Sequence, residues 1–329
     1  MRICLALAVL AFAGQTPAAR PAAEPSPIFR FETGGFWLNL HHFLYVLGRA
    51  EAKTPDATRE AVVDAPADAA RGGAQMTPEE RVEWAAAVVA YSAGLSRKDV
   101  VFDDPLPELA GALAKAGDRA SLEGAGIDPA AAATLESVAG VYRRVWWPAH
   151  RAANERWVAS IQPLLDRHGN RVLAYVTRAY AKPWPADGYP VQVAAYSNWA
   201  GAYSTKGNLL VLASLDSATA GLQGLETVFH EAMHQWDEAV FDELIAHARR
   251  LNIRVSGGVT HALIFYTAGE AVRSVEPSHV PYAEAAGVWG RGMERFRAPL
   301  VAVWKPWLDG RGTRDEALSA LAARTTNPR

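Results

Sequence analysis

The sequence predicts an α+β protein that is mostly helical, with a small β-sheet next to one central helix and an N-terminal helical region. Three observations predict this class. Helix start and stop signals recur along most of the chain. The best strand-like runs are confined to residues 189–214, and a long helical stretch without Gly or Pro follows at 225–251. A chain of 329 residues, half of them apolar, can bury one large core or two smaller ones.

Residues 1–27 are predicted to form a signal peptide and a disordered leader. Arg2 supplies the basic start, an apolar run extends from Leu5 to Phe12, and small residues allow cleavage near Ala13. The predicted localisation is therefore secreted or periplasmic. The only cysteine, Cys4, lies inside this segment, so the mature protein would have neither disulfides nor thiolate ligands for zinc.

The remaining chain is predicted to contain a helical region at 28–170 and a catalytic region at 171–329, although 28–329 can equally form one compact unit. Thr77 and Glu80 fit a capping box that opens a helix at Pro78. The polar stretch 53–75, rich in Ala, Asp and Gly, is predicted to be a mobile surface loop. The predicted helices of the first region cover residues 36–52, 78–93, 106–116, 129–145 and 148–167.

His41 and His42 are adjacent on the first of these helices. Successive residues diverge by about 100° around a helix, so at most one of the two rings can face a given site. We expect them to be hydrogen-bonded histidines of the core.

In the second region, the segments 189–196 and 208–214 are predicted strands, joined by a turn at 197–204. The central helix is predicted to run without interruption from 225 to 251. A second capping box opens the last helix at Thr313. Residues 171–180 fit either a strand or a helix, and the Pro-Trp-Pro sequence at 183–185 favours a helix. The other predicted helices of this region cover residues 260–274 and 282–303.

The central helix carries one His-Glu-x-x-His motif, made by His230, Glu231 and His234. Residues at i and i+4 share one helix face, so both imidazoles can turn toward a single ion. Glu231 lies beside them, where it can act on a water held by the ion. We therefore predict a metal site. Asp237, three residues after His234, is either an outer partner of that imidazole or a plain surface acid.

A catalytic zinc site needs a third protein ligand, for which we predict Glu270. This carboxylate lies in an otherwise apolar helix, where burial is unfavourable unless the group is paired or bound to metal. An ion pair between Glu270 and Arg273 is the alternative. His261 and His279 are weaker candidates for the same ligand position.

These residues resemble the zincin metallopeptidases, and in particular the gluzincin branch, in which a Glu on a later helix completes the motif. The resemblance covers residues 189–273 and implies a zincin-type active-site helix beside the sheet. It implies that His230, His234 and Glu270 bind one zinc ion per chain and that Glu231 is the general base. It also implies that the strand at 208–214 pairs with an extended peptide, and that Tyr266 or His261 stabilises the oxyanion.

The predicted function is that of a secreted zinc-dependent hydrolase, a metallopeptidase in which Glu231 acts on a zinc-activated water. The substrate would be a peptide or another small amide. A balanced charge, with 33 Lys and Arg against 35 Asp and Glu, and the lack of basic runs argue against a nucleic-acid partner. No stretch approaches the ~20 apolar residues of a membrane span. Substrate preference, endo- or exo-action and oligomeric state stay open.

Two other interpretations remain. The chain can be a non-catalytic binding protein on a zincin scaffold, although the intact Glu231 argues against this. It can also be a di-iron carboxylate protein, because Glu-x-x-His occurs twice, ending at His234 and at His279. Pro277 makes the second occurrence a poor helical interior.

Overall fold

A computed structural model of the chain describes residues 27–55 and 59–326. The predicted signal peptide and leader lie outside the described residues, apart from Pro27. The α-helices are α1 (Phe36–Glu51), α2 (Glu60–Gly73), α3 (Pro78–Ala93), α4 (Leu106–Ala116), α5 (Pro129–Val145), α6 (Trp147–Leu164), α7 (Asn170–Tyr180), α8 (Gly221–Met233), α9 (Asp237–Arg250), α10 (Val259–Arg273), α11 (Tyr282–Ala285), α12 (Glu294–Pro299), α13 (Lys305–Leu308) and α14 (Arg314–Arg324).

The strands are β1 (Phe29–Glu32), β2 (Tyr189–Ala194), β3 (Ala202–Ser204) and β4 (Leu210–Ala213), and they form one sheet in the order β1-β2-β4-β3. β1, β2 and β4 are parallel, and β3 is antiparallel to β4. The predicted α+β, mostly helical class is confirmed. β2 and β4 were predicted, whereas β1 was missed and β3 falls in the segment predicted to be a turn.

The sheet separates two helical layers. Val193 and Leu212 point into the core formed by the C-terminal helices, while their chain neighbours Ala194 and Val211 point into the core formed by α1 to α5. Strands buried on both faces have the near-continuous apolar sequence seen in β4. The sheet therefore fixes the position of the C-terminal helices relative to the N-terminal ones, because each group packs on one of its faces.

α1 is the central helix of the N-terminal layer and is buried from Phe36 to Arg49. His42 donates from Nδ1 to the Leu38 carbonyl at 2.8 Å and accepts from the Tyr203 hydroxyl at 2.9 Å. His41 Nδ1 lies 3.0 Å from the Tyr91 hydroxyl. The prediction of hydrogen-bonded core histidines is confirmed.

The prediction of a surface loop at 53–75 is wrong, because most of that segment is α2. Ala is the best helix former, and Val62 and Ala65 are buried in the N-terminal core. Asp68 on α2 accepts a hydrogen bond from His150 Nε2 at 2.7 Å. Burial and polar contacts with the rest of the layer thus stabilise α2, although its polar composition is typical of a loop.

The motif helix is shorter than predicted. α8 ends at Met233, a tight 3-10 turn covers His234–Trp236, and α9 starts at Asp237. The prediction of one helix at 282–303 is wrong as well, since the chain breaks into α11, a 3-10 turn and α12. Gly287 and Gly292 adopt positive φ angles of 64° and 88° there, which a continuing helix does not allow.

The C-terminal core also recruits residues that precede the predicted boundary at 170. Trp157 and Ile161 on α6 pack in it, together with Phe29 on β1. Among the described residues, no helix combines the length and the apolar character that crossing a membrane requires.

Candidate metal centre

Three histidines converge beside the sheet. His230 comes from the last turn of α8, and His234 is the first residue of the 3-10 turn that follows it. His261 comes from the first turn of α10, which packs against α8. One ring nitrogen from each lies within 4.8 Å of the other two, close enough for a single ion to bridge them. In residues 27–55 and 59–326, this is the one group of three or more His, Cys, Asp or Glu side chains so placed.

The turn at His234–Trp236 brings Asp237 back toward the motif. His234 Nδ1 donates to Asp237 Oδ2 at 2.6 Å, which leaves Nε2 with its lone pair for a metal. A carboxylate behind a histidine ligand fixes its tautomer and its ring orientation. Of the two interpretations of Asp237, the structure supports the outer partner of the imidazole.

The other two rings are kept neutral by their surroundings. Burial lowers the pKa of His230 well below its ordinary value, and nearby His234 and His261 lower it further. Burial lowers the pKa of His261 to about 4. His234 differs, because the hydrogen bond to Asp237 and the charge of Glu231 outweigh burial and raise its pKa. Neutral imidazoles are the form that binds metal ions.

Phe265 covers the rings on one side. Its centroid lies 4.2 Å from that of His230 and 4.7 Å from that of His261. Nδ1 of His230 is buried and has no hydrogen-bond partner among the described residues. The site is thus partly sheltered from water. It contains a buried ring nitrogen, Nδ1 of His230, for which the described residues supply no hydrogen-bond partner.

Glu231 lies next to this group. Its Oε2 is 4.0 Å from His234 Nε2, and only 8% of the residue is exposed. Burial raises the pKa of the Glu231 carboxyl, and the contacts with His234 and Ser204 oppose that rise only in part. Ser204 Oγ on β3 also donates to the Glu231 backbone carbonyl at 2.8 Å, which ties the strand to the motif helix.

The structure does not bring Glu270 to the histidines, so the prediction that it is the third ligand needs correction. Glu270 accepts a hydrogen bond from Arg273 Nη1 at 2.8 Å, and Lys305 Nζ lies 3.5 Å from its other oxygen. The ion pair that we considered as the alternative is therefore present. His261, a weaker candidate in the sequence, is the residue that joins His230 and His234 in the group that could hold a metal ion.

The predicted oxyanion donors change accordingly. Tyr266 lies five residues after His261 on α10, about 140° around the axis, so it faces away from the motif. Tyr266 does not line the cleft, and burial and the charge of Glu270 raise the pKa of its hydroxyl. His261, the second donor predicted, belongs to the metal group. Tyr282, three residues after His279 in the chain, lines the cleft instead of Tyr266.

The second Glu-x-x-His sequence does not form a metal site. His279 Nε2 donates to Glu226 Oε2 at 2.6 Å, and both side chains are buried. Glu276 points elsewhere, with its carboxylate 3.0 Å from His168 Nε2. The two residues of this sequence therefore have separate partners, which removes the geometric basis of the di-iron interpretation.

The histidines line a cleft of about 660 Å³, with Glu231 on the same wall. The edge strand β3 runs along it, since Ala202 and Ser204 also line it. β4, the strand expected to pair with a substrate, is bonded to β2 and β3 and has no free edge. Of the two edge strands, β1 and β3, the one that lines the cleft and could pair with a substrate is β3.

Comparison of the chain with known protein families, with curated proteins and with solved structures finds no match. The function of the site consequently rests on its own geometry.

Proposed function

We propose that the protein is a secreted or periplasmic zinc-dependent hydrolase whose substrates are peptides. The observation that carries this proposal is the convergence of His230, His234 and His261 beside the buried carboxylate of Glu231. Three protein ligands with a carboxylate next to them are the arrangement of catalytic rather than structural zinc sites.

The donor set suits zinc. Three nitrogen ligands and no thiolate agree with a borderline ion that accepts imidazole, and the hydrogen bond from His234 to Asp237 orients one ring for it. A zinc ion held there would supply Lewis-acid chemistry, since it lowers the pKa of a coordinated water and polarises a carbonyl.

Glu231 would move the proton. Its carboxylate has a raised pKa because it is buried, so Oε2 can take a proton from water near neutral pH and then deliver it to the leaving amine. Ser204 anchors the backbone of Glu231, which keeps the carboxylate in place between these two transfers.

The outer edge of β3 has backbone N–H and C=O groups with which the main chain of a peptide could pair. Thr205 N donates to Leu209 O, and Ala213 N donates to Gly201 O, so alternate residues of β3 face β4. The peptide groups of Ala202 and Ser204 between them face the free edge. An extended peptide laid along this edge would pair with them and pass beside the histidines.

The test is hydrolysis by the purified protein. We expect cleavage of a peptide mixture, loss of cleavage with a chelator and recovery with Zn²⁺. Glu231→Gln should keep one zinc ion per chain and lose about 10²–10⁴-fold in kcat/KM, because the amide cannot accept the proton. Metal content comes from elemental analysis and cleavage from mass spectrometry.

Three results would overturn the proposal. Unchanged turnover of Glu231→Gln would remove the residue from the chemistry. Zinc binding with tight peptide binding and no cleavage would make the chain a binding protein on this scaffold. Two irons per chain would restore the di-iron alternative.

A further inference from the structure

Two aromatic side chains are exposed in the cleft wall. Phe102 is 80% exposed and Trp199 is 36% exposed, and both line the same cleft as the three histidines. Aromatic residues usually bury most of their surface, so exposed ones beside a polar site indicate a surface that binds something apolar.

Phe102 lies in a turn at residues 99–103 that is ordered by hydrogen bonds to aspartate side chains. Asp99 Oδ1 accepts hydrogen bonds from the N–H groups of Val101 at 2.8 Å and Phe102 at 3.3 Å. Asp103 in turn accepts one from Asp99 N at 2.8 Å. A loop ordered in this way presents its aromatic side chain with little loss of entropy on binding.

Trp199 also lies in a hydrogen-bonded turn, in the connection between β2 and β3. Asn198 Oδ1 accepts from Ala200 N at 3.1 Å, and the Asn198 carbonyl accepts from Gly201 N at 3.2 Å. Trp199 precedes the first residue of β3 by three positions. It therefore lies at the end of the edge along which a peptide would pair.

A second part of the cleft lining, here called the far wall, comes from C-terminal residues and is apolar as well. Phe265 and Tyr282 stack with an interplanar angle of 7° and a centroid distance of 6.1 Å. Val288 and Met293 line the cleft next to them. A large apolar side chain entering the cleft would thus meet carbon atoms on both sides.

We propose that Phe102 and Trp199 form an aromatic clasp that selects peptides carrying a large apolar or aromatic side chain. This inference rests on the proposed function for the identity of the ligand as a peptide. In a peptide paired with β3, successive side chains would alternate between the two faces of the sheet. Each side chain that faces the cleft would therefore point at the clasp or at the far wall. A sugar would also stack on the two rings, but it would leave the free peptide groups of β3 unpaired.

The test separates binding from turnover by using zinc-loaded Glu231→Gln. Calorimetry would measure its affinity for two blocked pentapeptides, Ala-Ala-Phe-Ala-Ala and Ala-Ala-Ser-Ala-Ala. We expect the Phe peptide to bind about tenfold tighter, because burying one aromatic side chain contributes that much or more. Adding Phe102→Ser and Trp199→Ser should reduce the difference to less than about threefold.

Val82→Ser is the matched control, since Val82 is 70% exposed and lies outside the cleft. It should leave the preference unchanged. Equal affinity for the two peptides, a preference that survives both substitutions, or tighter binding of cellohexaose would overturn the inference. Selective binding by a protein that cleaves nothing would refute the proposed hydrolase alone. Cleavage without selectivity would refute the clasp alone.

Discussion

A spacing of nine residues places His261 and Glu270 on opposite sides of α10, about 180° apart around the axis and about 13.5 Å apart along it. Only one of them can face α8, and the structure selects the histidine. The apolar surroundings of Glu270 indicated a partner for its carboxylate, but they did not distinguish a metal ion from Arg273 and Lys305. The environment of His261 is different, because Phe265 lies one turn later on the same face of α10 and packs against the imidazole.

Substituting each residue in turn separates these roles. We expect His261→Ala to lose bound zinc on dialysis, since one of three nitrogen donors is gone. Glu270→Gln should retain one zinc ion per chain and lose about 1 kcal/mol or more of unfolding free energy, because Arg273 loses its charged partner. Elemental analysis and urea unfolding measure the two effects. Zinc loss from Glu270→Gln with retention by His261→Ala would reverse the assignment.

The outer partner of His234 is open to the same kind of test. Asp237→Asn removes the charge that polarises the imidazole, so the affinity for zinc should fall about 10–100-fold. Glu238→Gln is the matched control, because this neighbouring carboxylate lines the same cleft and would lose the same charge. Competition with a chromophoric chelator measures both. Equal affinities of the two variants would show that Asp237 has no special role.

At the scale of elements, the helices with strong local signals were predicted well. Thr77 and Thr313 both form the predicted capping boxes, and the bounds of α4 and α5 agree with the sequence pattern. The break at His234 has no such signal, since no Gly or Pro interrupts residues 225–251. The break therefore depends on contacts made in the folded chain, such as the hydrogen bond between His234 and Asp237. β1 was missed because four residues pair with a strand more than 150 positions away.

The position of α8 depends on a close contact at Gly224. A Cβ atom there would lie 2.1 Å from the Thr219 carbonyl oxygen, which also accepts a hydrogen bond from Trp157 Nε1. We therefore expect Gly224→Ala to lower the free energy of unfolding by about 1–3 kcal/mol.

Gly140→Ala provides the control for Gly224→Ala. Gly140 lies inside α5, and a Cβ atom there would meet nothing within 4 Å. The better helix propensity of Ala should stabilise this variant by about 0.5–1 kcal/mol. Denaturant unfolding measures both changes. Shifts of the same sign would show that the contact with Thr219 does not constrain α8.

At the scale of the molecule, the two buried histidines of α1 link stability to pH. Burial lowers the pKa of His42 from 6.5 to about 4, and it lowers that of His41 as well. Above pH 6.5 both rings are neutral in the folded and unfolded chains, so the full stability is present. Between pH 6.5 and about 4 the unfolded chain takes up protons that the folded chain does not, and stability falls.

The expected loss from His42 alone reaches about 3 kcal/mol at pH 4. His42→Gln keeps a polar side chain but removes the titrating group. Its unfolding free energy should be lower than that of the wild type at pH 7.5 and should depend less steeply on pH below 6.5. Urea unfolding across pH 4–7.5 measures both curves. Parallel curves would exclude His42 as a source of acid sensitivity.

The hydrogen bond between His42 and Tyr203 crosses from the N-terminal layer to the strand that borders the cleft. On the other side of that strand, Ser204 holds the backbone of Glu231. A fragment that lacks the N-terminal layer would therefore expose one whole face of the sheet. Of these two hydrogen bonds, β3 would lose the one to His42 and keep only the one from Ser204 to Glu231. The candidate metal centre therefore depends on the N-terminal helices for the support of its edge strand, and the C-terminal residues alone would not preserve its geometry.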